Sequence, residues 1–272
     1  MTQTEKATRF EELHQRPGVL LLPNPWDAGS ARILAGLGFE ALATSSGAAA
    51  ATLGRRDGGI TREQAVENVR VIVNATDLPV SGDLENGFGD RPETVAETIR
   101  LAAEIGLVGC SIEDASRGNN PQLYDVALAT ERIAAAVEAA RSLPFKFLLM
   151  ARAENFVRGK PDLGDTIKRL VAYEKAGADA VSAPGLPDLA AVRAVCSAVS
   201  RPVNFMAGAR GRSFTVAQLA EAGVKRISFA TYLFRAAMTG LIQAATEAKQ
   251  NGTFETVDKT FTSAELNKFL PE

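Results

Sequence analysis

The stretch PETVAETIRLAAEIGLVGCSIE, residues 92–113, contains one complete unit of the pattern that organises the chain. Residues 92–105 read as an amphipathic helix. Asp90 ahead of Pro92 and Glu93 marks its start, because a proline at the first helical position gives up an N–H that has no partner there. Gly106 stands between Ile105 and Leu107, and glycine takes the left-handed conformation that stops a helix with least strain. The apolar run 108–113 then has the length and composition of a buried parallel strand, and it ends on an acid, Glu113.

The same unit recurs on both sides. Short apolar runs at 19–23, 41–45, 79–83, 145–151, 180–183, Val203–Met206 and 227–230 alternate with helical stretches at 28–37, 62–75, 127–141, 164–176, 187–199, 215–222 and 232–249. Thr61 and Thr215 open helices, and Gly38, Gly177 and Gly223 close them. Right-handed crossovers of this kind give either an open doubly wound sheet or a closed barrel. Eight units favour closure, and no GxGxxG fingerprint follows the first strand, which argues against a dinucleotide-binding sheet. The expectation is an α/β fold, a (β/α)8 barrel, as a single domain over residues 1–272. The last helix runs past Gly240 and through Asn251-Gly252 into a polar, amphipathic end.

Composition narrows the function. Of 272 residues 46% are hydrophobic, enough for one large core, and the net charge of −2 leaves no dominant basic surface for nucleic acid or an anionic membrane. The polar segment 1–12 is not a signal peptide, and no apolar run reaches the roughly 20 residues that span a bilayer. Cys110 and Cys196 read as core packing in a strand and a helix, in a reduced, cytoplasmic setting. The one histidine, His14, precedes the first strand in a polar segment and reads as a surface residue. Ser-His-Asp and Cys-His mechanisms, and histidine-rich zinc sites, are thereby excluded.

In such barrels chemistry sits at the C-terminal ends of the strands. Acids concentrate there after strands three and four: Asp83-Leu84-Glu85-Asn86-Gly87-Phe88-Gly89, and Glu113-Asp114. Clustered carboxylates repel one another, so positive charge must offset them, and Mg2+ prefers such oxygen ligands while keeping several waters. The alternative is a solvated loop with helix-capping acids. Arg152 follows the buried run at strand five, where it could clamp a substrate carboxylate or form an internal salt bridge with one of the acids. Thr44-Ser45-Ser46-Gly47 offers hydroxyls and N–H groups for a carboxylate or oxyanion, or serves as a plain turn. Gly208–Arg212, after strand seven, reads as a flexible surface loop rather than a phosphate site.

Taken together, Leu22-Pro23-Asn24-Pro25-Trp26-Asp27-Ala28, Thr44-Ser45-Ser46-Gly47, the stretch 83–89, Ile112-Glu113-Asp114, Ala151-Arg152 and Pro202-Val203-Asn204 resemble the isocitrate lyase / phosphoenolpyruvate mutase superfamily, over about residues 10–245. The resemblance implies a Mg2+-dependent enzyme, with Mn2+ as the alternative ion, acting on a small 2-oxo or 2-hydroxy acid or a phosphonate. It implies that Asp83 binds the metal directly and that Asp57, Glu85 and Glu113 hold it mostly through waters. Ser46, Gly47 and Arg152 would bind the substrate carboxylate, with Asn204 lining the pocket from strand seven. Arg152, Asp57 and Glu113 are the candidate catalytic groups. A homotetramer that exchanges the eighth helix is implied too, with residues 232–272 in oligomer contacts.

The chain departs from the lyase branch at 115–121, Ala-Ser-Arg-Gly-Asn-Asn-Pro, which lacks that branch's catalytic cysteine and its histidine, and at Ala183-Pro184-Gly185, where the lyases carry a glutamate. The mutase branch uses a lysine and an asparagine in the strand-four loop, for which Arg117 and Asn119 or Asn120 could stand in. Three readings follow. One is a C–C lyase, including decarboxylation of an oxaloacetate-like acid, which needs no cysteine and passes through a metal-stabilised enolate. Another is a phosphonate P–C mutase or hydrolase, with Asn119 among the substrate contacts. The third is a barrel that binds 2-oxo acids with little catalysis.

Overall fold

The structure, a computed structural model, describes residues 1–118 and 120–270. Helix α1 (Gln3–Gln15) precedes the first strand. Eight parallel strands follow: β1 (Leu20–Leu22), β2 (Leu42–Ala43), β3 (Val80–Asp83), β4 (Gly109–Glu113), β5 (Leu148–Arg152), β6 (Ala180–Ser182), β7 (Val203–Met206) and β8 (Arg226–Ser228). They pair in the order β1-β8-β7-β6-β5-β4-β3-β2. The Ala43 N–H donates to the Pro23 carbonyl at 3.0 Å, which brings β2 against the end of β1 and nearly completes the ring. Helices α2 (Ala28–Gly36), α3 (Ser46–Thr52), α4 (Arg62–Asn74), α5 (Pro92–Glu104), α6 (Val126–Arg141), α7 (Leu163–Lys175), α8 (Leu189–Ala198), α9 (Val216–Glu221) and α10 (Tyr232–Asn251) alternate with the strands. A 3-10 turn (Glu255–Lys259) and α11 (Ser263–Asn267) end the described chain. The fold is the (β/α)8 barrel expected from the repeating unit.

Local chemistry explains the element ends. Thr61 with Gln64 and Thr215 with Gln218 form reciprocal caps that satisfy the first free N–H groups of α4 and α9. Gly38, Gly106, Gly177 and Gly223 all have φ between 86° and 102°, the left-handed region that stops a helix. One start signal is corrected. Asp90 does not cap α5; its carboxylate accepts from the Tyr124 hydroxyl, and Arg91 holds the cap position without a side-chain bond.

Other differences bear on function. The polar-looking N-terminus is helix α1, capped reciprocally by Thr2 and Glu5. Its Phe10 is fully buried against Leu20, Leu22, Ala41, Ala43 and Val108, so the helix plugs the N-terminal end of the barrel. His14, read as a surface residue, is half-buried. Its ring packs edge-on to Phe10 at 4.5 Å, and the buried Arg226 side chain stands beside it. A second unexpected helix, α3, begins where a turn was read: the Ser45 hydroxyl accepts from Ala48 N and caps it. Cys110 is buried in β4 and Cys196 half-buried in α8, both unpaired, as their positions suggest.

Candidate active site

Strand pairing sets the level of each functional side chain. Glu113, the last residue of β4, pairs in register with Arg152, the last of β5; Asp83, the last of β3, pairs with Ser111. In a parallel barrel the strand ends rise together, so these side chains meet at one mouth. A cavity of about 320 Å3 opens there. Ser46, Gly47, Asp57, Asp83, Glu85, Glu113, Arg152 and Asn204 all line it, so the candidate residues stand around one space. Asn119 lies outside the described residues.

The Asp83 carboxylate accepts three hydrogen bonds. Its Oδ2 accepts from the Ser46 N–H at 3.0 Å and the Ser46 hydroxyl at 2.7 Å, and its Oδ1 from Arg152 at 2.9 Å. The Ser46 hydroxyl also stands 3.4 Å from Asp57 Oδ1. Burial first, and then the Asp83 charge, raise the Asp57 carboxyl above its ordinary value. Gly47 keeps this corner open, since a Cβ would sit 3.1 Å from both the Asp57 carboxylate and the Thr231 methyl and would press on them.

The loop after β3 is held under tension. Glu85 and Phe88 have φ of 49° and 62°, left-handed values unfavourable for residues with a Cβ. Arg132, 1% exposed, secures this loop from below by donating to the carbonyls of Asn86, Gly89 and Glu113. The Glu85 side chain meets Arg117 Nε at 2.6 Å. Burial pushes its carboxyl up to about 7, against the pull of Arg117 and with a further push from Asp83. Arg117 also donates to the carbonyls of Gly58 and Ile60 and lies 4.7 Å over the Phe88 ring, which ties the loop after β4 to the rim.

Arg152 is the internal cation of the cluster. Its guanidinium bonds Asp83, Glu113 at 2.7 Å and Glu154 at 2.9 Å. It belongs to β5 itself rather than to the loop beyond. The salt-bridge alternative is therefore what the structure displays, with Arg152 touching three acids rather than one. Burial, followed by the Glu154 charge, raises Glu113 well above the ordinary carboxylate range. Asn204 lies deeper, donating to Ser182 Oγ at 3.3 Å and Ser228 Oγ at 3.0 Å. In the loop after β4, Asn120 accepts from Gln122 rather than facing the mouth. Gly208–Arg212 contributes nothing to the cavity lining.

Two site residues escaped the sequence reading. Glu154, 1% exposed, bonds Arg152, and Arg158 Nη2 bonds Glu113 at 3.0 Å and Glu154 at 3.4 Å. Both lie past the end of β5, where strand periodicity no longer places a side chain. Behind them Asp114 accepts from the Glu154 N–H at 2.8 Å, from Arg169 at 3.1 Å and from the Tyr173 hydroxyl at 2.6 Å, a buried network that fixes the ends of β4 and β5.

Among the described residues the lining carries five acids (Asp57, Asp83, Glu85, Glu113, Glu154) and four arginines (Arg117, Arg152, Arg158, Arg226), one formal negative charge in excess. An all-oxygen, carboxylate-rich donor set suits a hard divalent cation. Among the described residues no three acids, cysteines or histidines converge to hold an ion together. The fit is to a hard divalent ion held through one or two carboxylates, with waters completing the shell.

Comparison with known proteins adds to this geometry. The family model described as phosphoenolpyruvate phosphomutase matches residues 10–249. A crystal structure from Burkholderia cenocepacia J2315, given the provisional label lyase/mutase, is 50% identical, covers 99% of this chain and 97% of its own, and superposes with a TM-score of 0.96. The crystal structure of 2,3-dimethylmalate lyase, described as a PEP mutase/isocitrate lyase superfamily member, is 26% identical over 97% of this chain and 94% of its own, with a TM-score of 0.86. A 2-methylisocitrate lyase of Halalkalibacterium halodurans is 28% identical over 93% of this chain and 85% of its own.

Proposed function

The chain belongs to the phosphoenolpyruvate phosphomutase family, within the isocitrate lyase / phosphoenolpyruvate mutase superfamily, and from that premise we propose that it is a Mg2+-dependent lyase cleaving a C–C bond of a small 2-oxo or 2-hydroxy acid. The observation that carries this reading is the cluster of Asp57, Asp83, Glu85 and Glu113 around one cavity, in a chain whose relatives include named C–C lyases. Asp83 would hold the ion directly, with Asp57, Glu85 and Glu113 holding its waters. When bound, the ion supplies a Lewis acid for the negative charge that appears on oxygen as the bond breaks.

The remaining work falls to the chain's own groups. Ser46 and Arg152 now donate to Asp83. With Asp83 committed to a cation, those donors become available to a substrate carboxylate, together with the N–H of Gly47. The lining then carries one positive charge in excess instead of one negative, so the loaded cavity attracts an anion. Decarboxylation of an oxaloacetate-like acid proceeds without the cysteine that the loop 115–121 lacks. The setting proposed is cytoplasmic, with Cys110 and Cys196 kept as thiols, and the assembly a tetramer formed through residues 232–272.

A second reading, P–C chemistry on a phosphonate, is favoured by one observation: Arg117 reaches from the loop after β4 to the rim of the cavity, where it could meet a phosphonyl group. Incubation with Mg2+ and a panel of 2-oxo acids, 2-hydroxy acids and phosphonopyruvate, followed by carbon and phosphorus NMR, decides between them. Cleavage of a C–C bond with the phosphonate signal intact is expected. Loss of the phosphonate signal with every acid intact reverses the order. Binding without turnover across the panel leaves a binding barrel.

A further inference from the structure

Barrel interiors of this kind are usually packed with bulky branched side chains. Below the acid cluster this one is lined instead by Ser81, Ser182, Asn204, Ser228 and Arg226. Arg226 opens β8 and is 3% exposed. Its Nη groups reach only neutral partners, His14 Nε2 and Ser81 Oγ, each at 3.5 Å, the outer limit of a hydrogen bond. Its Nε has no partner, and no carboxylate stands within salt-bridge distance among the described residues. Burial depresses its pKa to about 10, which leaves it cationic at neutral pH. Ser81 lies two residues before Asp83 on β3, about 7 Å down the strand at 3.3 Å per residue, so the guanidinium beside it stands well below the mouth.

A buried charge without a counter-ion costs several kcal/mol, and such charges are normally paired. The cavity reaches Arg226 from the mouth, while α1 closes the barrel from the other end with Phe10. The hydroxyl protons of Ser81 and Ser228 have no acceptor among the described residues: Ser81 receives from Arg226, and Ser228 from Asn204. We propose that this floor is an anion-binding subsite, in which the Arg226 guanidinium and the Ser81 and Ser228 hydroxyls take one small monovalent anion, a halide or a single carboxylate group. The subsite stands whether or not the lyase reading above holds.

Bromide is the probe. Crystals of the full-length protein soaked in sodium bromide should show an anomalous peak in hydrogen-bonding contact with the Arg226 guanidinium. In solution bromide should raise the melting temperature saturably, against sodium gluconate at equal ionic strength, and Arg226→Gln should weaken the half-saturating concentration by about tenfold or more. If Arg226→Gln does not fold, the wild-type peak alone carries the test. Adding a four-carbon dicarboxylate with Mg2+ separates two sources of the same chemistry: displacement of bromide assigns the subsite to a carboxylate of the bound acid, and retention assigns it to a free ion. Water alone at Arg226, bromide confined to the surface, or an unchanged bromide response in a folded Arg226→Gln variant overturns the proposal.

Discussion

Arg152 shows how far a single residue can be read before its partners are seen. It ends an apolar run, so its place at the barrel mouth follows from strand periodicity, as do those of Asp83 and Glu113. Glu154 and Arg158 lie past the strand, in a polar segment that reads as ordinary solvated loop, and only tertiary contact shows both against Glu113 and Arg152. Arg226 was equally hidden: it follows Lys225 and looks like part of a charged surface turn, yet it is the first residue of β8. If Arg152 turns from its acids to a substrate carboxylate during reaction, its planar fork matters as well as its charge. Arg152→Lys is expected to keep Mg2+ affinity while lowering kcat/KM by at least about tenfold, equivalent to about 1.4 kcal/mol of transition-state binding. Turnover left intact, with melting temperature and metal affinity falling together, would show that the arginine is only an internal strut.

Among elements, α1 was the one the sequence concealed most completely. Its apolar positions, Ala7, Phe10 and Leu13, are separated by polar and charged residues, and so sparse an apolar stripe reads as a polar tail. What fixes it is tertiary: Phe10 fills the open end of the barrel. Phe10→Ala is expected to destabilise the fold by about 3–5 kcal/mol in urea unfolding, the range for emptying a buried aromatic site. His14 gives the same helix a pH dependence. Its Nδ1–H donates to the Phe10 carbonyl and its Nε2 faces Arg226. Burial, and then the Arg226 charge, lower its pKa to about 4 from an ordinary 6.5. The folded state thus refuses a proton that the unfolded chain accepts, so stability is full above pH 6.5 and declines as pH falls toward 4. Unfolding free energies at pH 7 and pH 5 should differ by on the order of 1–2 kcal/mol from this residue, and His14→Gln should remove that part of the difference. An unchanged difference in the variant would place the acid sensitivity elsewhere. Helix α3 was hidden for another reason. Thr44-Ser45-Ser46-Gly47 has turn composition, and the cap that Ser45 provides is chemically the same as a turn contact.

For the whole molecule, the repeating unit carried the architecture: eight strand–helix repeats with glycine stops led to a barrel without any long-range information. It carried less about what surrounds the barrel. Helix α10 buries none of its residues, and Leu241 and Ile242 are 60% and 64% exposed on it. Followed by the exposed Phe254, Val257 and Phe261, this face has the character of an interface in the proposed tetramer. Light scattering should report four copies, and Leu241→Asp with Ile242→Asp should yield smaller species; a wild-type monomer would contradict the exchange of this helix. The acids gathered at the C-terminal ends of the strands pose the larger question, whether they exist to hold a divalent ion. Isothermal titration of Mg2+ into the wild type and into Asp83→Ala answers it most directly. Saturable binding of Mg2+ by the wild type, near one ion per chain, and its loss in a folded Asp83→Ala variant is the expected result. Absence of binding by the wild type, or undiminished binding by Asp83→Ala, would contradict a metal centre built on Asp83.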